Sequence, residues 1–431
     1  MNVVLCSVAA EGHIGPMLAV ARGLRDRGWR VRFITGARFA DQVAQAGAEF
    51  VALPPDADVL DRLDRTRRRS GRAVLNEELR PAFLDPAPGQ ARALLGALAQ
   101  EPADAVLAES AFLGVAALHA QPAGQRPLHV LCGVIPLGLP SVDVAPFGLG
   151  LTPLPGPLGR LRNRFLTWLA TRVILRQAHA DTDRTLRELG AGGLQGQFLT
   201  SGQRDADLIA QFTVESFEYP RSDAPDHLVF VGPMTRTARH PPAAEDPPIV
   251  HVTQGTVANR SWTDLVSPAL EGLADLPVRV LVSTGGRDLD TLPQLPANAE
   301  AVEFLDYPEA LPRCSVFVTN GGYGGLHAAL EHGLPIVVAG DTEDKKETSA
   351  RVEWAGAGIN LHTGQPTPTA IRQAVRQILA EPAYAAASRR IGAQIAGSPG
   401  VAGLAERIEE LVSRRPPAPR SRSGNPDGPG R

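Results

Sequence analysis

Residues Val316–Asp341 read VFVTNGGYGGLHAALEHGLPIVVAGD, and this stretch decides the fold. An apolar run (Val316 to Thr319) meets a glycine cluster, then a helical stretch, then a second apolar run (Ile336 to Ala339). That order is strand, loop, helix, strand, the repeating unit of a parallel sheet. Gly321, Gly322, Gly324 and Gly325 let the backbone approach a ligand where the helix begins, and a helix N-terminus offers unpaired N–H groups and positive potential to a phosphate. The same glycines would suit a plain turn that needs φ > 0, so the rest of the chain must choose between cradle and turn.

Upstream, further strand-like runs lie at Ile249 to Thr253, Val278 to Ser283 and Val302 to Leu305, with helical runs between them. Gly255 and Thr256 follow the first of these and Gly285 and Gly286 follow the second. Three glycine-bearing strand ends in one domain favour a nucleotide phosphate over three unrelated turns. The beginning of the chain repeats the alternation. Val3 to Val8, a glycine-containing loop, an amphipathic stretch (Met17, Val20, Ala21, Leu24), Gly28 as a stop and the run Val31 to Thr35 form one βαβ unit. Short apolar runs at Phe50 to Leu53, Ala105 to Ala108 and Leu128 to Cys132 continue it, alternating with helical stretches such as Gln90 to Ala99. The expected fold is therefore α/β, with two Rossmann-like doubly wound parallel-sheet domains facing each other across a cleft.

Proline-rich interruptions at Leu53 to Asp56 and Ile135 to Leu158 suit irregular insertions at the ligand end of the first sheet, and Leu161 to Leu189 reads as one or two amphipathic helices. GPMTRTARHPPAAEDPP, from Gly232, cannot easily form an element and marks the linker. The domains are read as residues 1–235 for the acceptor, a linker at 236–248, 249–396 for the nucleotide, a final helix at 397–415 and a disordered tail at 416–431. In that helix Val401, Leu404, Ile408 and Leu411 share one face.

The chain has 431 residues, more than one core usually serves. A net charge of −3 gives no global field favouring nucleic acid or an anionic membrane. The arginine run Arg67 to Arg69 reads as a solvated loop. Cys6, Cys132 and Cys314 are odd in number, far apart and set in apolar runs, which points to buried thiols in a reducing compartment and to neither disulfides nor a metal site. With no basic leader and no apolar stretch of about 18 residues, the expected location is cytoplasmic, without integral membrane association. Of the 43 basic residues only Lys345 and Lys346 are lysine, so an adjacent ammonium pair stands out.

His13, in the loop GHIGP, and Glu109, in VLAES, both sit at strand ends of the first domain. A carboxylate on one imidazole nitrogen fixes the tautomer and leaves the other nitrogen to take a proton from a hydroxyl. A turn-lining histidine and a helix-terminal charge are the plainer readings of the two residues. There is no GxGxxG after the first strand, no GxxxxGK[ST], no serine nucleophile elbow and no HExxH, so nicotinamide or flavin enzymes, P-loop NTPases, serine hydrolases and zinc enzymes lack support.

GHIGP in one domain, with VTNGGYGG and GLPIVVAGDTEDK in the other, resembles the UDP-glycosyltransferase superfamily of inverting enzymes, most of all the bacterial macrolide and antibiotic glycosyltransferases. FEYPR with VFVGP before the linker, and FLDYPEALPRCSVFVTNGG after it, extend the resemblance over nearly the whole chain. It implies the GT-B arrangement, with the final helix crossing back to the first domain. It also implies a metal-independent glycosyltransferase without cofactor, which moves a sugar from a nucleoside diphosphate sugar, UDP or dTDP, to a hydroxyl of a small apolar natural-product-like acceptor. His13 would be the base and Glu109 its partner, where the family usually has aspartate. Phe304 and Leu305 match the segment that receives the base, Gly322, Gly324 and Gly325, beside Gly321, the diphosphate loop, and Asp344 the acidic residue that binds sugar hydroxyls. Gly255, Thr256 and Gly285 complete the donor side; Phe112, Ile135 and Phe147 are assigned to the acceptor.

The departures matter: Asn320 replaces a phosphate-contacting histidine, Ala328 a ribose-holding glutamate, and Lys345 the glutamine beside Asp344. Lost contacts of this kind leave the nucleotide open, and Lys345 would suit an acidic sugar or replace the missing positive charge. An epimerase acting on a nucleoside diphosphate sugar and a noncatalytic sugar-nucleotide-binding auxiliary protein remain as alternatives. The chain is expected as a monomer or homodimer.

Overall fold

The computed structural model describes residues 1–59, 80–194, 197–198, 200–235, 245–256, 259–342 and 344–415. The expected tail, most of the expected linker and the arginine run lie outside the described residues.

Seven parallel strands build the first sheet: β1 (Asn2–Cys6), β2 (Arg30–Thr35), β3 (Glu49–Ala52), β4 (Ala105–Glu109), β5 (Leu128–Gly133), β6 (Leu208–Gln211) and β7 (Leu228–Phe230). Six more build the second: β8 (Ile249–Thr253), β9 (Arg279–Ser283), β10 (Ala299–Val302), β11 (Cys314–Thr319), β12 (Ile336–Val338) and β13 (Gly358–Asn360). The orders are β3-β2-β1-β4-β5-β6-β7 and β10-β9-β8-β11-β12-β13. Each sheet thus runs outward in one direction from its first strand and then resumes on that strand's other side, and the point of reversal is where doubly wound folds open a crevice at the strands' carboxyl ends. In the first sheet it lies between β1 and β4, in the second between β8 and β11. The two halves share a topology without sharing a sequence repeat.

The central strands are buried on both faces, which is why they read as unbroken apolar runs: Val3, Val4, Leu5 and Cys6 have no exposed surface, nor have Val316, Phe317 and Val318. All three cysteines are buried thiols, and burial pushes Cys6, Cys132 and Cys314 upward from the ordinary thiol value. One reading shifts: the run Val302 to Leu305 becomes a strand only over Ala299–Val302, because that register pairs with Val280 to Ser283 of β9, and it leaves Phe304 and Leu305 beyond the strand end.

The helix Gly400–Ser413 returns to the first lobe. Its Leu404, Ala405 and Ile408 join the core formed with Val3, Leu5, Ile14, Met17 and Leu24, while Val401 and Leu411 pack at the margin of that core. Arg27 donates to Glu409 at 3.1 Å, and Arg415 donates to the Arg126 carbonyl and to Asp207 at 2.8 and 2.7 Å.

The lobes meet through segments that follow β5 and β6 on one side and the helices Tyr323–Glu331 and Lys345–Trp354, which follow β11 and β12, on the other. Thr213 lies 2.8 Å from His327 Nε2, and Phe217 stacks on Tyr323 at 6.4 Å between ring centroids. The carboxyl ends of both sheets therefore face the same interlobe space.

Candidate active site

In the first lobe, β1 ends at Cys6 and the helix Glu11–Asp26 begins after a four-residue loop, which puts His13 in the opening turn. Glu109 is the last residue of β4, the strand directly beside β1. The crevice position thus brings together two residues 96 apart in sequence: His13 Nδ1 is 2.8 Å from Glu109 Oε2. The Glu109 side chain is fully buried and also accepts from two main-chain donors, Val8 N–H at Oε1 (3.1 Å) and Ala111 N–H at Oε2 (2.7 Å). A carboxylate holding three donors has its geometry set by the backbone and presents only acceptor capacity to the imidazole. With Glu109 ionised, His13 donates from Nδ1 to it, and in the neutral imidazole the lone pair is then on Nε2. Its side chain is 21% exposed. The longer glutamate arm in place of aspartate is no obstacle to the pairing.

In the second lobe the crevice is lined by main chain. Gly255, just after β8, has φ +67°, and Gly285, after β9, has φ +64°. A Cβ at Gly285 would fall 2.2 Å from the Gly255 carbonyl oxygen, so the two loops touch backbone to backbone. Asn259 Nδ2 staples them, donating to the Gly255 carbonyl (2.9 Å) and the Thr284 carbonyl (2.5 Å). Thr256 is exposed at the rim.

After β11, Gly321 turns with φ +91°, and a Cβ there would press on Val338 and Thr348. Gly322 precedes the first residue of the helix Tyr323–Glu331, and Gly324 lies in its first turn. A Cβ at Gly322 or at Gly324 would meet nothing within 4 Å. Neither glycine is needed for folding room, and both leave open space at the start of a helix, where N–H groups lack helical partners. Gly325 is different, since its absent Cβ lies 3.7 Å from the Phe317 ring in ordinary packing distance.

Asn320 is buried and donates through Nδ2 to the Gln254 carbonyl at 2.5 Å, which ties the glycine loop to the β8 loop. Lys345 is 5% exposed, an unusual burial for lysine. Its stem lies against Gly340, whose absent Cβ would also meet the Asn320 carbonyl oxygen at 2.0 Å. The only two lysines therefore differ: Lys345 is buried near the base of the glycine loop and Lys346 is exposed. Asp344 immediately precedes the helix Lys345–Trp354, and its carbonyl accepts from Glu347 N–H and Thr348 N–H. Phe304 is 68% exposed, with its ring over Gly286; Leu305 is half-buried beside it.

The acceptor-side expectations divide. Phe112 needs correction: it is 1% exposed and locked in the core with Val4, Cys6, Ile34 and Leu94, so its ring presents no surface to a ligand. Ile135 is half-buried against the first core. Phe147 is half-buried, rests against Gly138 and lines a small cavity with Leu137, Val144, Phe198 and Tyr219.

The sequence reading missed a cluster of buried charges at the lobe interface. Arg351 donates to Glu218 Oε1 at 2.6 and 2.9 Å and to Glu347 Oε2 at 2.9 Å, while Arg221 lies 3.4 Å from Glu218. All four side chains are nearly or fully buried. Burial alone would raise the Glu218 carboxyl, but Arg351 and Arg221 outweigh it and hold it below the ordinary carboxylate value. Burial would likewise lower Arg351, and Glu218 and Glu347 drive it the other way, well above the usual guanidinium value. The available signal was the helix sequence KKETSARVEW, polar all round where a core-facing helix should carry an apolar stripe.

Two family models divide the chain between them. The glycosyltransferase family 28 N-terminal domain matches residues 3–130, and the erythromycin biosynthesis protein CIII-like C-terminal domain matches residues 267–411. Over nearly its full length the chain is 33% identical to UDP-glycosyltransferase 2 of Phaeomoniella chlamydospora, covering 96% of each protein. The chain belongs to the UDP-glycosyltransferase family. Among its relatives is 4'-demethylrebeccamycin synthase of Lentzea aerocolonigenes, 35% identical with 95% of this chain and 99% of that protein covered. The fold is shared with the calicheamicin glycosyltransferase CalG4 at a TM-score of 0.72 and 22% identity, over 96% of this chain and 99% of that one. This glycosyltransferase is therefore of GT-B architecture. Among the described residues, no helix is long and apolar enough to cross a membrane.

Proposed function

We propose that this glycosyltransferase moves a hexose from a UDP- or dTDP-sugar to a hydroxyl of a small, largely apolar, natural-product-like acceptor, with inversion at the anomeric carbon and without a metal. His13 Nε2 takes the acceptor proton as the hydroxyl oxygen bonds to the anomeric carbon. The bond from that carbon to the diphosphate breaks on the opposite face, and its electron pair leaves with the diphosphate. Glu109 holds the imidazole in the required tautomer and stabilises the imidazolium that forms. Main-chain N–H groups at Gly322 to Gly325, with Thr256 at the rim, meet the growing negative charge on the leaving group. Phe304 offers a ring to the nucleobase.

The observation that carries this reading is the 2.8 Å contact of His13 with Glu109 at the crevice of one sheet, facing the same interlobe space as an open glycine loop at the crevice of the other. The names of the relatives support a UDP-sugar donor and a natural-product acceptor.

General-base catalysis contributes about 10²- to 10⁴-fold. His13→Ala is expected to lower kcat by that factor while the donor Kd, measured by calorimetry, stays within about twofold. Unchanged turnover removes the base assignment. A thermal-shift series of UDP-, dTDP- and GDP-sugars, with an acidic sugar included, identifies the donor through the stabilisation that binding to the folded form confers.

A further inference from the structure

The buried charge cluster reaches beyond the interface it fills. Glu347 Oε1 accepts from Gly148 N–H at 2.8 Å and from Gly150 N–H at 2.9 Å. Both glycines belong to the irregular insertion between β5 and the helix Gly156–Leu169, and both have positive φ, +100° and +62°. The other end of the insertion is held by the same cluster: Glu218 Oε2 accepts from Leu137 N–H at 3.0 Å, and Arg221 donates to the Leu137 and Leu139 carbonyls at 2.9 and 3.3 Å. Phe147, the one assigned acceptor-side ring that keeps exposed surface, lies between these two anchors. Glu347 itself stands in the first turn of the helix that begins at Lys345, three residues after Asp344. A single carboxylate thus links the insertion of the first lobe to the helix turn assigned to the donor sugar.

We propose that Glu347 is a positioning residue for the transfer reaction, holding the Phe147 to Gly150 segment in place over the acceptor by its bonds to the two glycine amides. The proposal rests on the reading of the insertion as the acceptor side and of Asp344 as a donor-sugar contact. Its energetic logic follows from the division of labour within the carboxylate. Oε2 balances Arg351, and loss of that charge leaves a buried cluster with an excess positive charge, which costs stability. Oε1 serves the loop, and loss of that oxygen releases the two glycine amides it holds. The two roles can be separated by substitution. Glu347→Asp keeps the negative charge in the cluster while withdrawing the carboxylate by one methylene from the loop and from Arg351; Glu347→Ala removes the charge and both oxygens.

The test combines hydrogen–deuterium exchange at Gly148 and Gly150, thermal melting, donor Kd by calorimetry and acceptor KM for both variants. The expected result is that Glu347→Asp melts close to the unsubstituted protein, exchanges these amides at least about tenfold faster and raises acceptor KM by a similar factor, with donor Kd changed less than about twofold. Glu347→Ala is expected to show the same kinetic change together with a lower melting temperature. Unchanged exchange in both variants overturns the clamp. Faster exchange with unchanged acceptor KM overturns the positioning role. A KM change that follows melting temperature, large for Ala and absent for Asp, assigns Glu347 to structure alone. Exchange needs no turnover, so an absence of transferase activity in the unsubstituted protein would count against the proposed function and leave the clamp itself still decided.

Discussion

The two lobes share the order of their first six strands, yet each equips its crevice by different means. In the first, the crevice presents side chains: an imidazole and a carboxylate 2.8 Å apart, the carboxylate fixed by two main-chain N–H groups. In the second, the crevice presents bare backbone: Gly322 and Gly324 leave open space, and Gly255 and Gly285 bring two loops into backbone contact. A proton transfer needs a group with a titratable lone pair in one orientation, and only a side chain supplies that. A departing diphosphate needs several weak donors spread over its oxygens, and main-chain amides at a helix start supply these without a side chain that must be ordered or desolvated. One topology therefore accommodates either chemistry, and the loops after the strands decide which.

The largest test of this contrast is a double-mutant cycle on the side-chain lobe. If His13 and Glu109 act as one unit, Glu109→Gln alone is expected to cost about 10²- to 10⁴-fold in kcat, and adding it to His13→Ala costs almost nothing further. Additive losses would mean that the two residues act separately and that the contact is structural.

A smaller effect separates the interface from both crevices. Burial pushes His327 down to about 4, and His251 likewise to about 4. Their folded values lie below the unfolded histidine value of about 6.5, so the unfolded chain binds more protons between those limits. Their contribution to stability is complete above about pH 6.5 and is lost as pH falls towards 4. His327→Gln is expected to reduce the slope of unfolding free energy against pH in that window, by at most about 1.4 kcal/mol per pH unit. An unchanged slope would show that the contact with Thr213 survives protonation.

The smallest effect is the sharpest for the glycine lobe. Gly324→Ala adds a methyl group into open space within a helix, so it is expected to stabilise the fold by about 0.4–1 kcal/mol. If the space belongs to a diphosphate, the same substitution weakens donor binding by about tenfold, roughly 1.4 kcal/mol. A raised melting temperature with unaltered donor affinity would reduce the loop to a turn.

These differences also explain what the sequence made legible. The central strands carry long apolar runs because both their faces are covered, and their positions follow directly. The missed strands, β6, β7 and β13, are four, three and three residues long, and β7 and β13 lie at sheet edges. His13 and Glu109 were readable because each stands at the end of a recognisable apolar run, so the topology alone brings them together. The pairing within the charge cluster was not readable, since Glu218 and Arg351 are 133 residues apart; only the polar helix Lys345–Trp354 signalled it. Phe112 misled for the reverse reason: it follows the strand bearing Glu109, yet its ring turns into the core instead of the crevice.

The last helix has a consequence for biosynthesis. Leu404, Ala405 and Ile408 sit in the first lobe's core although almost the whole second lobe is translated before them. As the ribosome releases the chain from its beginning, the first lobe emerges with an unfilled groove that only the final segment can close. It stays incomplete until that helix is made, so a chain broken off before Gly400 forfeits part of the lobe that carries His13, and the lobes are not modules that can be exchanged by a cut at the linker alone.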